Sequence, residues 1–449
     1  MVFSFNFLFI VGALLALVSD EANTNPSEIQ LKLDNGLTVH LLPSARYSLA
    51  AAVLAIKAGT SRETAETNGY LHLLEHCLLF RQSGPGDKDN IFRAIKEYGL
   101  YYNAHTEQDL MFFEICVPSG FLKQGLNLLR QIVFNFNLEK EALEREKTII
   151  LKELADISRV PQKVGLAKIY ELVFPDSPYA LPTFGRPEVI KKADIESLRE
   201  FYSRYFTPEN AVLVIVGDFE PQSQIENIKK DFSEVKSSAE KSEVAREEVK
   251  AKVLGSPLEI TMEVSDTYLI GGLPGPDYSH PDSFGLDLLI EILGRGLNPL
   301  FYAAFAGYPG LVHSVNIDYL SHERAGLIFF MITTRAERLP TVKRLVQQFL
   351  IKVSDFNFSK NDFLPDEQSL MVFDFLLGGK NRILFSAEKF QENPLQVALA
   401  LARHLQLSPV QQKSNYLEAI NSLSSSDLRR LSYKYLSQNK PAWVIIRPK

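Results

Sequence analysis

A two-domain fold whose second half repeats the first is what this sequence predicts, on three observations. The chain has 449 residues, more than one hydrophobic core normally serves. The stretch IESLREFYSRYFTPENAVLVIVG, from Ile195, aligns without gaps against SSDLRRLSYKYLSQNKPAWVIIR, from Ser425, at a constant offset of 230 residues. That register pairs Leu198 with Leu428, Arg199 with Arg429, Tyr205 with Tyr435, Val214 with Val444 and Ile215 with Ile445. Between the copies, residues 233–256 (SEVKSSAEKSEVAREEVKAKVLGS) are charged and nearly free of aromatics, the composition of a solvated linker. The division expected is therefore residues 28–232, a linker at 233–256, and residues 257–449.

Residues 1–22, MVFSFNFLFIVGALLALVSDEA, are apolar through Val18, short for a membrane span, and followed at once by small and acidic residues. That pattern resembles a secretory signal peptide ending near Ser19 to Ala22, although no Lys or Arg precedes the apolar run. An anchor that stays on the chain is the alternative. Either reading predicts export, to the periplasm or outside the cell, with membrane contact only through this segment if it is not removed. Residues 33–59 carry alternating and then continuous apolar residues after an Asn-Gly turn, the signature of strands.

Residues 68–80, NGYLHLLEHCLLF, place His72 and His76 four apart with Glu75 between them. On a helix the three share a face while Leu71, Leu73, Leu74, Cys77, Leu78 and Phe80 pack the others into a core. Polar groups in such surroundings are costly unless satisfied, by backbone partners or by a metal. The pattern H-x-x-E-H is the zincin motif H-E-x-x-H in reverse. A catalytic zinc wants three protein ligands and one open position, so a third ligand is expected. Residues 139–159 read as a strong helix, acidic at its start, apolar at Ile149, Ile150, Leu151 and Leu154, and ended before Pro161. Glu146 and Glu153 lie seven apart, on one face of it.

With these motifs the chain resembles the pitrilysin or insulinase family, in its short-chain branch that includes mitochondrial processing peptidase and bacterial relatives. In that family the third zinc ligand is a Glu 77 positions after the second His, which is Glu153 here, and a second acid seven residues earlier matches Glu146. The segment YGLYYNAHTEQDLMFFEICVP resembles the family's "NA-x-T" loop and following strand, and residues 183–221 resemble its block of helix, short loop and buried strand. The resemblance implies an α+β fold of two homologous α/β-sandwich-like domains forming half of a clamshell. It also implies one Zn2+ per chain on His72, His76 and Glu153. Glu75 would be the general base, and Glu146 would orient a ligating histidine. Extended peptides would add as a strand at a sheet edge, with Asn103 and Ala104 on the binding segment. His105 is given no role.

The second half has no H-x-x-E-H of its own. Active single chains of the family carry an Arg and, seven residues later, a Tyr in a block resembling "LREKRGLAYSV"; here FAGYPGLVHSV, residues 305–315, puts Ala306 and His313 at those positions. Alanine cannot donate to an oxyanion, whereas His313 offers a partial substitute for the Tyr at the substrate. The implied enzyme is a heterodimer in which this chain bears the zinc and a homologous partner supplies the Arg and Tyr. A homodimer, a structural subunit without activity and a peptide-binding chamber are the alternatives. A formal net charge of −6 gives no basic footprint for nucleic acid. The two cysteines, Cys77 and Cys116, read as buried small apolar residues rather than a bridge.

Overall fold

Two sheets carry the fold, and the computed structural model describes them through residues 28–79, 95–236, 249–253, 257–297, 299–356, 374–408 and 416–449. The leader expected at 1–22, and residues 237–248 and 254–256 of the expected linker, lie outside the described residues. The first half runs β1 (Ile29–Lys32), β2 (Thr38–Pro43), β3 (Leu49–Ile56), α1 (Tyr70–Leu79), β4 (Tyr101–Thr106), β5 (Met111–Pro118), α2 (Leu122–Phe134), α3 (Lys140–Ile157), α4 (Pro161–Val173), α5 (Pro187–Lys192), α6 (Ile195–Tyr205), β6 (Ala211–Gly217) and α7 (Pro221–Phe232). The second runs β7 (Leu258–Met262), β8 (Thr267–Gly275), α8 (Asp282–Gly294), α9 (Leu300–Ala303), β9 (Ser314–Ser321), β10 (Gly326–Thr334), α10 (Leu339–Lys352), α11 (Phe375–Phe390), α12 (Pro394–Leu407), α13 (Tyr416–Ser422), α14 (Ser425–Ser432) and β11 (Ala442–Pro448).

Among the described residues, five strands of the first sheet match the five of the second, and β1 is an addition to the first. The first has the order β1-β2-β6-β3-β5-β4 and the second β7-β11-β8-β10-β9. In each the last strand in the chain pairs parallel with the first of the shared set, β6 with β2 and β11 with β7, while the remaining shared pairs are antiparallel. The repeat seen in the sequence sits on equivalent elements, α6 with β6 and α14 with β11. It extends to the helix starts: Asp194 and Ser197 form a capping box at the head of α6, and Ser424 and Asp427 form another at the head of α14. The result is an α+β fold made of two like halves.

Among the described residues, neither half covers its own sheet on both sides. One face of the first sheet packs Leu54, Phe113, Leu213 and Ile215 under α1, α2, α3 and α6. The other face, with Ala51, Val53, Ala55, Phe112 and Val214, joins the core of the second half and meets Ala398, Leu401 and Ala402 of α12. The second sheet is treated alike. Ile328, Phe330 and Ile445 face α8 and α10, while Ile270, Leu327, Val444 and Ile446 are covered by Ile169, Tyr170 and Val173 of α4. Each half thus lends one helix to the other's sheet. Backbone approaches closely where α4 crosses: a Cβ on Gly165 would lie 2.0 Å from Ile270 Cδ1, and one on Gly272 would lie 2.2 Å from Ile169 Cγ2. From the described part of the linker, Val249 and Val253 pack on the same cluster, so this portion is not wholly solvated.

The lent helices carry polar ties as well. Arg403 of α12 makes a bidentate ion pair with Glu107 in the turn between β4 and β5, and Gln406 Nε2 donates to Ala55 O (2.8 Å) and Asn210 O (3.2 Å). Where the β4–β5 and β9–β10 turns meet, Asp109 accepts from Ser61 Oγ (2.9 Å), Tyr179 Oη (2.7 Å) and the Glu323 backbone N–H (2.8 Å).

Because each sheet is completed by the other half, the halves should unfold together. Urea denaturation followed by far-UV circular dichroism and by tryptophan fluorescence from Trp443 is expected to give coincident single transitions; two separated transitions would contradict the exchange. The Ile169→Ala variant should cost about 2–5 kcal/mol in that same single step, since its side chain is fully buried against the second sheet.

A pH test follows from His404 on α12, whose Nδ1 lies 2.9 Å from Ser408 Oγ and 3.3 Å from Tyr278 Oη. Burial pushes its pKa down from 6.5 to about 4. The folded state therefore favours the neutral ring, so the stability this contributes is complete above pH 6.5 and is lost as pH falls toward 4. The denaturation midpoint should drop across that window in the native chain and drop less in the His404→Gln variant.

Candidate metal centre

Helix α1 begins under tight control. The carboxylate of Glu63, 4% exposed, accepts from the Gly69 N–H (2.9 Å), the Leu71 N–H (2.8 Å) and Asn68 Nδ2 (2.9 Å), taking up donors that a helix start leaves without partners. Burial pushes its pKa up to about 7 against these hydrogen bonds. Asn68 also ties the start to the 182–186 segment, through Nδ2 to Pro182 O (3.1 Å) and its own carbonyl to the Arg186 N–H (3.2 Å). The same segment reaches the first candidate ligand, since His72 Nδ1 lies 3.0 Å from Phe184 O and the Phe184 ring packs edge-on against the imidazole.

Helix α3 crosses α1 and brings acids to the histidines. Glu153 Oε2 lies 3.6 Å from His72 Nε2 and 3.6 Å from His76 Nε2. On the far side of the second ring, His76 Nδ1 lies 3.6 Å from Oε2 of Glu146, which is 2% exposed. Each imidazole therefore turns Nδ1 to an outer oxygen and Nε2 toward one shared carboxylate. Among the described residues, His72, His76 and Glu153 are the group whose possible metal-ligating atoms converge, all within 4.8 Å of one another.

These donors fit a zinc ion. The 3.6 Å separations are too long for hydrogen bonds, yet close to the ~3.3 Å between neighbouring ligands of a tetrahedral ion with bonds of about 2.0 Å. Two imidazoles and a carboxylate are a common catalytic zinc set, and outer partners on the unused ring nitrogen are the usual arrangement. Electrostatics point the same way. Burial alone would depress the His76 pKa, but Glu146 and Glu153 outweigh it and push it up to about 9. The neighbouring imidazoles of His72 and then His76 hold Glu153 well below the usual carboxylate range. Three acids, Glu75, Glu146 and Glu153, facing two imidazoles form a pocket that seeks positive charge.

Glu75 lies half-buried beside this group, with Oε2 accepting from Thr106 Oγ1 at 2.8 Å; burial raises its pKa despite that bond. The other expected site residues are distributed differently. Side chains alternate along β4, so Ala104 and Thr106 face α1 while Asn103 points to the opposite side. There Asn103 Nδ2 is engaged by Glu114 Oε1 at 2.7 Å, and Ala104, 5% exposed, belongs to the core beneath α1. His313 immediately precedes β9 of the second sheet and is paired with Asp266 Oδ1 at 3.0 Å through Nδ1. No described contact joins it to α1 or α3. Ala306 lies on an exposed turn after α9. Both cysteines are free. Sequence reasoning missed Glu63, Thr106 and the Phe184 carbonyl as parts of the site. Only Thr106 carried a signal, as the last residue of the NA-x-T stretch.

Among the described residues the second half has no counterpart. Helix α8, placed between β8 and β9 as α1 is between β3 and β4, reads LDLLIEILG against LHLLEHCLL, with Asp287, Ile290 and Glu291 where α1 has His72, Glu75 and His76. Asp287 accepts from Tyr416 Oη (3.3 Å) and Glu291 from Arg382 Nε (2.6 Å), so each acid is held separately.

Comparison with known proteins agrees with this asymmetry. Residues 39–186 match the profile described as "Insulinase (Peptidase family M16)", and residues 192–364 match "Peptidase M16 inactive domain". The chain belongs to the insulinase family of peptidases, which is the pitrilysin-type family that its motifs resemble. It is 23% identical over 363 residues to an uncharacterized zinc protease of Rickettsia felis, covering 81% of this chain and 86% of that one. It is 26% identical over 266 residues to the beta subunit of mitochondrial-processing peptidase from Lentinula edodes, covering 59% of this chain and 57% of that one. The crystal structure of a protease from Helicobacter pylori superposes with a TM-score of 0.82 at 20% identity, covering 94% of this chain and all of that one, and shares the α+β half-clamshell fold.

If Glu63 fixes the metal helix, its removal should be felt at the metal. The Glu63→Ala variant is expected to lose about 1–3 kcal/mol of stability, for three donors left without their carboxylate, and to bind zinc 10–100-fold more weakly in competition with a chromogenic chelator. Unchanged zinc affinity would reduce Glu63 to a fold residue.

Proposed function

We propose that this chain is the zinc-bearing subunit of a peptidase that cleaves extended peptides. The observation that carries the reading is the convergence of His72, His76 and Glu153 with Glu75 beside them. His72, His76 and Glu153 would hold the ion, whose chemistry in such a ligand set is Lewis-acid activation of a water and of a peptide carbonyl. Glu75 takes the proton of the attacking water and returns it to the leaving amine. Glu146, against His76 Nδ1, and the Phe184 carbonyl, against His72 Nδ1, keep both imidazoles in the orientation that leaves Nε2 for the ion. Among the described residues no strand pairs with the outer edge of β4, next to α1, and that edge is suited to pairing with the backbone of an extended peptide.

The partner supplies what the second half lacks. Ala306 offers no donor to a developing oxyanion, and the His313 imidazole is paired with Asp266. The beta subunit of mitochondrial-processing peptidase is by its name one subunit of an enzyme, and a homologous partner carrying the Arg and Tyr is the arrangement proposed here. The second reading is a subunit without activity, favoured by the match of residues 192–364 to the inactive domain. The N-terminal segment supports export, with the enzyme working in the periplasm or outside the cell.

Zinc analysis with cleavage of a quenched fluorescent peptide library tests the assignment. The chain should carry one zinc and cleave peptides once a homologous Arg-Tyr-bearing chain from the same source is added. In that mixture Glu75→Gln should keep the zinc and lose at least about a thousandfold in kcat, while Glu153→Gln should lose the zinc. Stoichiometric zinc with no cleavage in any mixture would favour the inactive subunit, and no zinc at all would remove the metal centre.

A further inference from the structure

The metal-free half reaches the proposed base through two residues. Glu75 has a long side chain with several rotatable bonds, and the side-chain partner that fixes its carboxylate is the Thr106 hydroxyl, 2.8 Å from Oε2. Thr106 is the last residue of β4, which among the described residues is an edge strand paired only with β5, so its place depends on β5 and on the turn that follows. That turn is fastened from several sides. Glu107 O accepts from the Thr60 N–H (3.0 Å) and Thr60 Oγ1 (3.2 Å), and Gln108 O accepts from the Ser61 N–H (2.7 Å). Two further fastenings come from the second half: the Glu323 N–H to Asp109, and the bidentate Arg403 pair to Glu107.

The Arg403 pair is built for rigidity. Arg403 is 6% exposed, lies 5.0 Å from the Phe112 ring centroid, and grips both oxygens of Glu107 with its two terminal nitrogens. A forked contact of this kind fixes direction as well as distance. It acts on the residue next to Thr106. From this geometry we propose that Thr106 is a positioning residue for Glu75, and that Arg403, on the helix lent by the second half, holds Thr106 in place by fixing Glu107. The half without a metal thereby serves the half that has the ligands. With one carboxylate oxygen engaged by the hydroxyl, the other is left to receive the proton from water, and a shift of about 1 Å in such a base costs up to about a hundredfold in rate.

This inference rests on the peptidase reading, and the test separates the two. Variants are measured in the mixture in which the native chain cleaves peptide. Thr106→Val keeps the shape and strand preference of the residue but removes the hydroxyl. It is expected to lower kcat about 10–100-fold with KM within about threefold, with one zinc retained. Thr106→Ser should restore most of the rate. A phosphinic peptide, a mimic of the tetrahedral transition state, should bind Thr106→Val more weakly by the factor lost in kcat/KM when measured by calorimetry. The double variant Glu107→Gln, Arg403→Met removes both charges and so leaves neither one buried alone. It should lose kcat to a similar degree, and adding Thr106→Val to it should cost little more. A native kcat in Thr106→Val, or a loss confined to KM or zinc content, would overturn the role of Thr106. Additive losses would overturn the Arg403 link. A native chain that holds zinc but cleaves nothing in any mixture overturns the peptidase reading itself and this inference with it.

Discussion

Each sheet is apolar on both faces, and each half has helices enough for one of them. A face left to water would expose Ala51, Val53 and Val214 on the first sheet, or Ile270, Leu327 and Val444 on the second. The hydrophobic penalty of several such side chains is comparable to the whole stability of a domain. The exchange of α4 and α12 removes it on both sides, and other features follow. Glycine stands at 165 and 272 because the crossing is close. The chain passes from α3 directly into α4, so the helix carrying Glu146 and Glu153 is anchored at its end to the other half's sheet. The turns at 107–110 and 322–325 meet between the sheets, and their polar groups are paired across the junction.

Within that frame the candidate metal centre is a problem of charge and aim. Two histidines on one buried helix would be an expensive way to fill a core. Each instead has an outer oxygen on Nδ1 and a shared carboxylate before Nε2. The proton that Glu146 and Glu153 favour on His76 occupies the place for which a cation competes. The aim is set by groups beside the candidate ligands: the Glu63 carboxylate at the start of α1, the Phe184 carbonyl and the Thr106 hydroxyl.

Spacing in the sequence was informative wherever function rests on a single helix. His72, Glu75 and His76 share a face because four residues make about one turn, and Glu146 and Glu153 because seven make two. The 230-residue offset foretold matched elements, down to capping boxes at Asp194 and Ser424. Contacts between elements were not legible. The apolar stripes of α4 and α12 announce helices that need a sheet, without saying whose sheet it is. Asn103, expected from its motif to contact substrate, lies on the face of β4 opposite α1, where its Nδ2 donates to Glu114 Oε1, a pairing its own strand does not announce. His313 aligned with a catalytic position, and Asp266, its partner in the fold, stands 47 residues earlier in the chain. Arg403 and Glu107 are 296 residues apart, and nothing local in either residue reveals the pair.

The measurement that tests the metal centre most directly is zinc K-edge X-ray absorption on the purified chain, which counts ligands and identifies their atoms. The structure calls for two imidazole nitrogens and carboxylate or water oxygens at about 2.0–2.1 Å, with no sulfur. A sulfur shell near 2.3 Å, which only Cys77 or Cys116 or a second molecule could supply, would contradict it.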